Sequence, residues 1–405
     1  MNNYINCHTH SFSPSCAPRD ILQLGTKLGD NGASLLESLL RTKLGQKLFS
    51  FNYRNNMVER YAEFLKIGTM ATQRAVFEYN LKGYDNSWLA GTKFVILTMD
   101  MDYMTDPENK PNMDFDAQLE EVKILKQTYP DRIFPFLGID PRNPRNLDFS
   151  NNVQRLFETK TFSGIKLYPS QGFFPFDTRM DAVYSYAEAN NIPIMTHCTR
   201  TGSYYIGRNV KQLIPDRPAS LNPSHPAMQA IYKRISLYKN TTDKTFTGNA
   251  RICNVFLHPE NYLPVLDKYK NLKLCFAHLG GVMEVTALQN PDKKELKLFK
   301  ELMTFENATK SWYEIIRDEI LNVYANTYSD ISYTLSSKQA MQLVNADLTA
   351  KKLPEDKILF GTDYFMVERE MREQSAIAVA QQTISPEYFN KMIVDNNKKY
   401  LFGTT

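Results

Sequence analysis

Eight short apolar runs, most of them separated by stretches of helical periodicity, constrain this chain more than any other feature. They are YINCHTH (4–10), KFVILTMD (93–100), RIFPFLGI (132–139), GIKLYP (164–169), IPIMTHC (192–198), LKLCFAH (272–278), YSDISYT (328–334) and KILFGTD (357–363). Segments such as DAQLEEVKILKQTY, RMDAVYSYAEAN, NYLPVLDKYK and KQAMQLVNADLTA lie between them. Strands alternating with helices call for a parallel sheet with right-handed crossovers. Eight such units fit a closed (β/α)₈ TIM barrel. A doubly wound open sheet is the alternative, but no Gly-rich phosphate loop follows the first run.

Two connections are too long for simple crossovers. Residues 13–92 carry the helical patterns SLLESLLRTKLGQKLF and NNMVERYAEFLKI, and residues 199–256 are rich in Pro, Tyr and basic side chains. Because the strand pattern resumes after each, both read as insertions on one elaborated barrel spanning 1–405. The stretch EYFNKMIVDNNKKYLFG suits a closing helix with a Gly stop.

Hydrophobic residues at 42% and charged residues at 23% suit a globular protein with a large core. A net charge of +4 implies no general attraction to nucleic acid. No apolar run reaches the length of a membrane span, and no secretory signal is recognisable. The five cysteines Cys7, Cys16, Cys198, Cys253 and Cys275 form no C-x-x-C pair. They read as free thiols in a reducing compartment, with the cytoplasm as the expectation.

The chain has six histidines, and four of them fall at the C-terminal ends of apparent strands: His8, His10, His197 and His278. Asp363 ends the eighth run. In an extended strand, residues two apart point to one face, so His8 and His10 project together. Barrel active sites are built at that rim from side chains of different strands. Imidazoles and a carboxylate together suit a divalent metal, Zn²⁺ first, which lowers the pKa of a bound water toward about 7.

This arrangement resembles the amidohydrolase superfamily: H-x-H at strand one, histidines at strands five and six, and aspartate at strand eight. FSGIKLYPSQGFFPFD, IPIMTHCTRTGS, LKLCFAHLGG, YSDISYT, ILFGTDYF and NNKKYLFG are similar to the amidohydrolase-related branch that includes aminocarboxymuconate-semialdehyde decarboxylase. The resemblance covers the strands and most crossovers but neither insertion. It implies His8, His10 and His197 as metal ligands, with Asp363 as fourth ligand or base. His278 would be an acid/base group or carbonyl polariser beside one metal, most often Zn²⁺ with Mn²⁺ as an alternative. In branches with two metals it would bind the second ion. Asn397 falls at a usual asparagine position, whereas the family's frequent aspartate two residues before H-x-H is Asn6 here.

Lys166 lies on strand four, where some binuclear relatives carry a carboxylated lysine. A bridging role, a substrate or barrel-polar role and a purely structural role are all open for it. His225 and His258 read as helix-start or surface residues, and Cys198 as packing. Between 199 and 256 nine basic residues face only Asp216 and Asp243. That excess would suit a small anionic substrate held partly by Arg200 or another arginine of the segment, and a merely solvated basic surface stays open beside it. The leading expectation is hydrolysis of an amide, lactone or ester of a small carboxylated molecule. Non-oxidative decarboxylation of an aromatic or enoic acid on the same residues is the alternative, and a non-catalytic metal-binding barrel is a third reading. Assembly into a homo-oligomer is left open.

Overall fold

The computed structural model describes residues 4–18, 66–67, 70–200, 202–287 and 293–403. Eight parallel strands pair in sequence order: β1 (Ile5–Thr9), β2 (Lys93–Leu97), β3 (Ile133–Ile139), β4 (Gly164–Leu167), β5 (Ile194–Thr196), β6 (Leu274–Phe276), β7 (Thr327–Asp330) and β8 (Ile358–Leu359). The seam between β8 and β1 is drawn shut beyond their paired residues. Cys7 N donates to the Phe360 carbonyl at 3.0 Å, and Asp363 N donates to the His8 carbonyl at 2.8 Å. Glycine at 361 makes that approach possible, since a Cβ there would stand 2.6 Å from the His8 Cβ. The chain is therefore the (β/α)₈ barrel that the eight runs call for. The seventh run is shorter as a strand than expected, because the backbone turns away after Asp330.

Period-2 alternation fills the inside of the barrel. Ile5, Cys7, Val95, Leu97, Phe136, Met195, Cys275, Tyr328 and Leu359 pack there as one buried cluster, joined at its base by Tyr400 and Leu401. The opposite strand faces meet the outer helices in a larger core. Helix α1 (Gln73–Asp85) precedes β2 and α2 (Phe115–Thr128) precedes β3. Helix α2 buries Phe115, Leu119, Val122 and Leu125, spaced at the helical period, and Asp114 caps it by accepting from Ala117 N. All five cysteines are buried and free.

The segment after β5 contains α3 (Met228–Asn240) and several short turns before the chain returns through β6. Beyond β6 runs α4 (Lys293–Glu306), and α5 (Glu373–Thr383) follows β8. Of the excursion expected at 13–92, the pattern SLLESLLRTKLGQKLF and nearly all of NNMVERYAEFLKI lie outside the described residues. The closing helix α6 (Asn397–Phe402) ties the seam again: Asn397 Nδ2 donates to the carbonyls of Ile5 and Phe360 at 2.7 and 2.9 Å. Among the described residues, no helix is long and apolar enough to cross a membrane.

Candidate functional site

The four rim histidines and Asp363 come together at the C-terminal mouth of the barrel. His8 lies in β1 and His10 just past it, while His197 and His278 follow β5 and β6. The β1–β2 register shifts between Asn6 and Thr9, as strands do where side chains are re-aimed at a site. The rings of His8 and His10 are 5.3 Å apart. His278 and Asp363 both sit on left-handed backbone, with φ of 70° and 62°. Non-glycine residues adopt that conformation at some cost, and such strain concentrates at functional sites.

The polar contacts run as a chain through the cluster. Asp363 Oδ1 lies 3.1 Å from His10 Nε2 and 3.4 Å from His8 Nε2. On its other side His8 Nδ1 meets Asp330 Oδ2 at 2.8 Å. Asp330 Oδ1 accepts from the backbone N–H of His278 and of Ser332, and from the Ser332 hydroxyl. His278 Nδ1 is 3.1 Å from the Ser332 carbonyl, while its Nε2 is 3.2 Å from His197 Nδ1. His10 Nδ1 lies 3.2 Å from the Leu97 carbonyl.

These partners assign the tautomers. An imidazole nitrogen in the shorter contact with a carboxylate or carbonyl carries the proton, so Nδ1–H donates in His8 and His278 and their Nε2 keeps its lone pair, whereas His10 faces an acceptor at both nitrogens, the Leu97 carbonyl at Nδ1 and Asp363 at Nε2. Burial holds the His8 and His278 imidazoles well below the usual histidine range, reinforced by neighbouring imidazoles and Lys166. Both are neutral donors. Burial also raises the Asp363 carboxyl, opposed by its hydrogen bond from His10.

This donor set fits a divalent cation. Donor atoms of His8, His278 and Asp363 all lie within 4.8 Å of one another. Neutral imidazoles held at Nδ1 by a carboxylate or carbonyl are oriented as metal ligands usually are. Two features differ from the sequence expectation. The compact group includes His278, which the single-metal reading set apart from His8, His10, His197 and Asp363. Asp330 and Ser332 were also missed, although YSDISYT shows an acid at the rim of strand seven, the same signal that marked Asp363.

Lys166 is fully buried in β4, and its Nζ has no hydrogen-bond partner among the described residues. Arg200 requires a correction. Its Nε bonds Glu284 at 2.7 Å, its two terminal nitrogens bond Glu306 at 2.7 Å each, and its guanidinium stacks 4.2 Å over Trp312. Two carboxylates from the β6–β7 connection thus already fill the fork expected to hold a substrate. Part of the basic excess of 199–256 is similarly drawn into ion pairs, Arg208 with Asp106, Arg234 with Glu260 and Lys239 with Asp216. His225 accepts from Ala227 N and His258 from Glu260 N, both at helical starts.

A family model described as Amidohydrolase matches residues 109–402. No curated protein sequence matches the chain. Among solved structures, the chain is similar to 5-carboxyvanillate decarboxylase from Novosphingobium aromaticivorans, complexed with manganese and 4-hydroxy-3-methoxy-5-nitrobenzoic acid. The TM-score is 0.50 at 14% identity, covering 98% of this chain and 96% of that one. A probable 2-pyrone-4,6-dicarboxylic acid hydrolase from Acinetobacter baumannii, with citric acid bound, aligns over 100% of both chains at TM-score 0.48 and 13% identity.

Proposed function

This chain belongs to the amidohydrolase family and is an enzyme, and from that premise we propose that it hydrolyses an amide, lactone or ester bond of a small carboxylated substrate with a divalent metal. The observation that carries the reading is the convergence of His8, His10, His197, His278 and Asp363 at the barrel mouth, with donor atoms of His8, His278 and Asp363 within 4.8 Å of one another. His8, His10, His197 and Asp363 would hold the ion, Zn²⁺ or Mn²⁺, with His278 beside them. When bound, such an ion supplies Lewis acidity toward a carbonyl oxygen and acidifies water.

The chain's own groups then divide the proton work. Asp363 Oδ, within reach of both H-x-H imidazoles, accepts the proton of the attacking water. His278 Nε2, with its Nδ1–H fixed on the Ser332 carbonyl, takes that same proton on from Asp363 and passes it to the leaving nitrogen or oxygen. Asp330 holds His8 Nδ1 and the His278 backbone together, so it positions both rings.

The likeness to a manganese-bound 5-carboxyvanillate decarboxylase favours a second reading. In it, the same residues release carbon dioxide from an aromatic or enoic acid and deliver a proton to the carbon left behind. A panel of carboxylated lactones, esters, amides and aromatic acids, offered to Zn²⁺- and Mn²⁺-loaded protein, separates the two. Hydrolytic products without carbon dioxide support the first reading. Carbon dioxide from an acid, with no hydrolysis, replaces it with the second. No turnover by metal-replete protein overturns both.

A further inference from the structure

A buried ammonium is heavily penalised unless acceptors surround it. Lys166 lies in β4 with no exposed surface, and its Nζ has no hydrogen-bond partner among the described residues. The carboxylates of Asp330 and Asp363 attract it through space without bonding it, and burial lowers its pKa to about 8. Two residues on, and so on the same side of the extended chain, stands Tyr168. Lys166 Nζ lies 4.9 Å from the centre of its ring. That ring stands 5.8 Å from the His197 ring and 6.5 Å from the His10 ring, which places the pair against the histidine cluster.

The Tyr168 hydroxyl is buried and equally without a hydrogen-bond partner among the described residues, as are Ser170 Oγ and Gln171 Nε2 in the turn that follows. Native proteins leave few buried polar atoms unpaired, and a run of them along one strand end calls for an explanation. All four can donate, and one carries positive charge. The ligand chemistry that such a row matches is an oxyanion, because a carboxylate accepts several hydrogen bonds and neutralises the ammonium.

We propose that Lys166 and Tyr168, extended by the Ser170–Gln171 turn, form the subsite that binds a carboxylate of the substrate beside the histidine cluster. The assignment rests on the reading of that cluster as an active site. It moves the anion-binding role from Arg200 to β4, and it requires Lys166 to remain an uncarboxylated amine. It holds for hydrolysis and decarboxylation alike, since either substrate carries a carboxylate.

The test uses the full chain loaded with Mn²⁺ and titrated calorimetrically with isophthalate, with benzene-1,3-dimethanol as the neutral counterpart. Wild type binds isophthalate and not the diol. Lys166→Met weakens isophthalate binding about 10- to 100-fold and Tyr168→Phe about 3- to 10-fold. Both variants keep their manganese by elemental analysis, and neither lowers the thermal midpoint, because neither side-chain polar atom has a hydrogen bond to lose among the described residues. A purely structural lysine would move stability instead. Unchanged isophthalate affinity in Lys166→Met overturns the proposal, as does a wild type that binds no isophthalate. Loss of manganese from that variant, or a carbon dioxide adduct on Lys166 in the intact mass, also overturns it by placing the lysine on the metal. Should Lys166→Met not fold, Tyr168→Phe, which removes a single oxygen, carries the test alone. A failed substrate panel together with a Lys166-dependent isophthalate affinity faults the reaction assigned and leaves the subsite standing.

Discussion

Two buried cations, Lys166 in β4 and Arg200 three residues past His197 in the chain, are accommodated in opposite ways. Arg200 is wrapped by Glu284 and Glu306 and stacked on Trp312, so its charge is fully matched and its pKa stays above the usual value. Lys166 has comparable burial, no hydrogen-bonded acceptor among the described residues and a lowered pKa. A matched buried charge holds elements together, here the segment after β5 against the β6–β7 connection. An unmatched one costs stability that packing elsewhere must offset, and it persists where a ligand uses it. Burial alone does not separate scaffold from site, whereas pairing does.

The sharpest way to break this comparison is to remove each charge. Arg200→Met should destabilise the protein by about 3–5 kcal/mol, because it strands two buried glutamates. Lys166→Met should leave stability unchanged or raised. Urea unfolding of both variants decides it, and equal losses would erase the distinction.

Asp330 tests pairing at the site itself. Asp330→Asn keeps the shape but weakens the acceptor that fixes His8 Nδ1 and the His278 backbone. Divalent-metal affinity should fall about 10- to 100-fold, read by competition with a chelating dye. Unchanged affinity would show that the imidazoles need no such holding.

Glu373 offers a third, smaller contrast. Burial pushes its carboxyl up to about 8, against hydrogen bonds from Thr362 and Tyr84. A carboxyl raised on folding contributes fully below its unfolded pKa and loses that contribution as pH rises through the folded value. Stability should therefore decline between about pH 4.5 and pH 8 through this group. Glu373→Gln should flatten that decline, making the variant more stable than wild type at pH 9 by more than about 1 kcal/mol. Parallel stability profiles for the two proteins would contradict the assignment.

The smallest effect belongs to the exposed part of the basic segment. Arg208 pairs with Asp106 at the surface, so Arg208→Ala should change stability by no more than about 0.5 kcal/mol. A larger loss by thermal unfolding would mean that this surface also anchors the segment.

The sequence by itself determined the barrel and the site's location. Alternation and helical periodicity are local properties, and they decide which residues face inward wherever the chain packs. Four histidines at the ends of three runs and Asp363 at the end of the eighth could be placed at one rim because a closed parallel barrel brings all its strand ends to the same side. Pairing was decided only by the tertiary structure. Arg200 and Lys166 look alike as basic residues beside rim positions, yet Glu284 and Glu306 lie 84 and 106 residues from Arg200 along the chain. Asp330 likewise reaches His8 across 322 residues. Asn6, read only as a departure from a family pattern, bonds Tyr84 and Thr362 beside Glu373, a network built from three distant segments. Electrostatic matching depends on distances of a few ångströms between side chains remote in sequence. No local pattern carries those distances, and folding the barrel creates them.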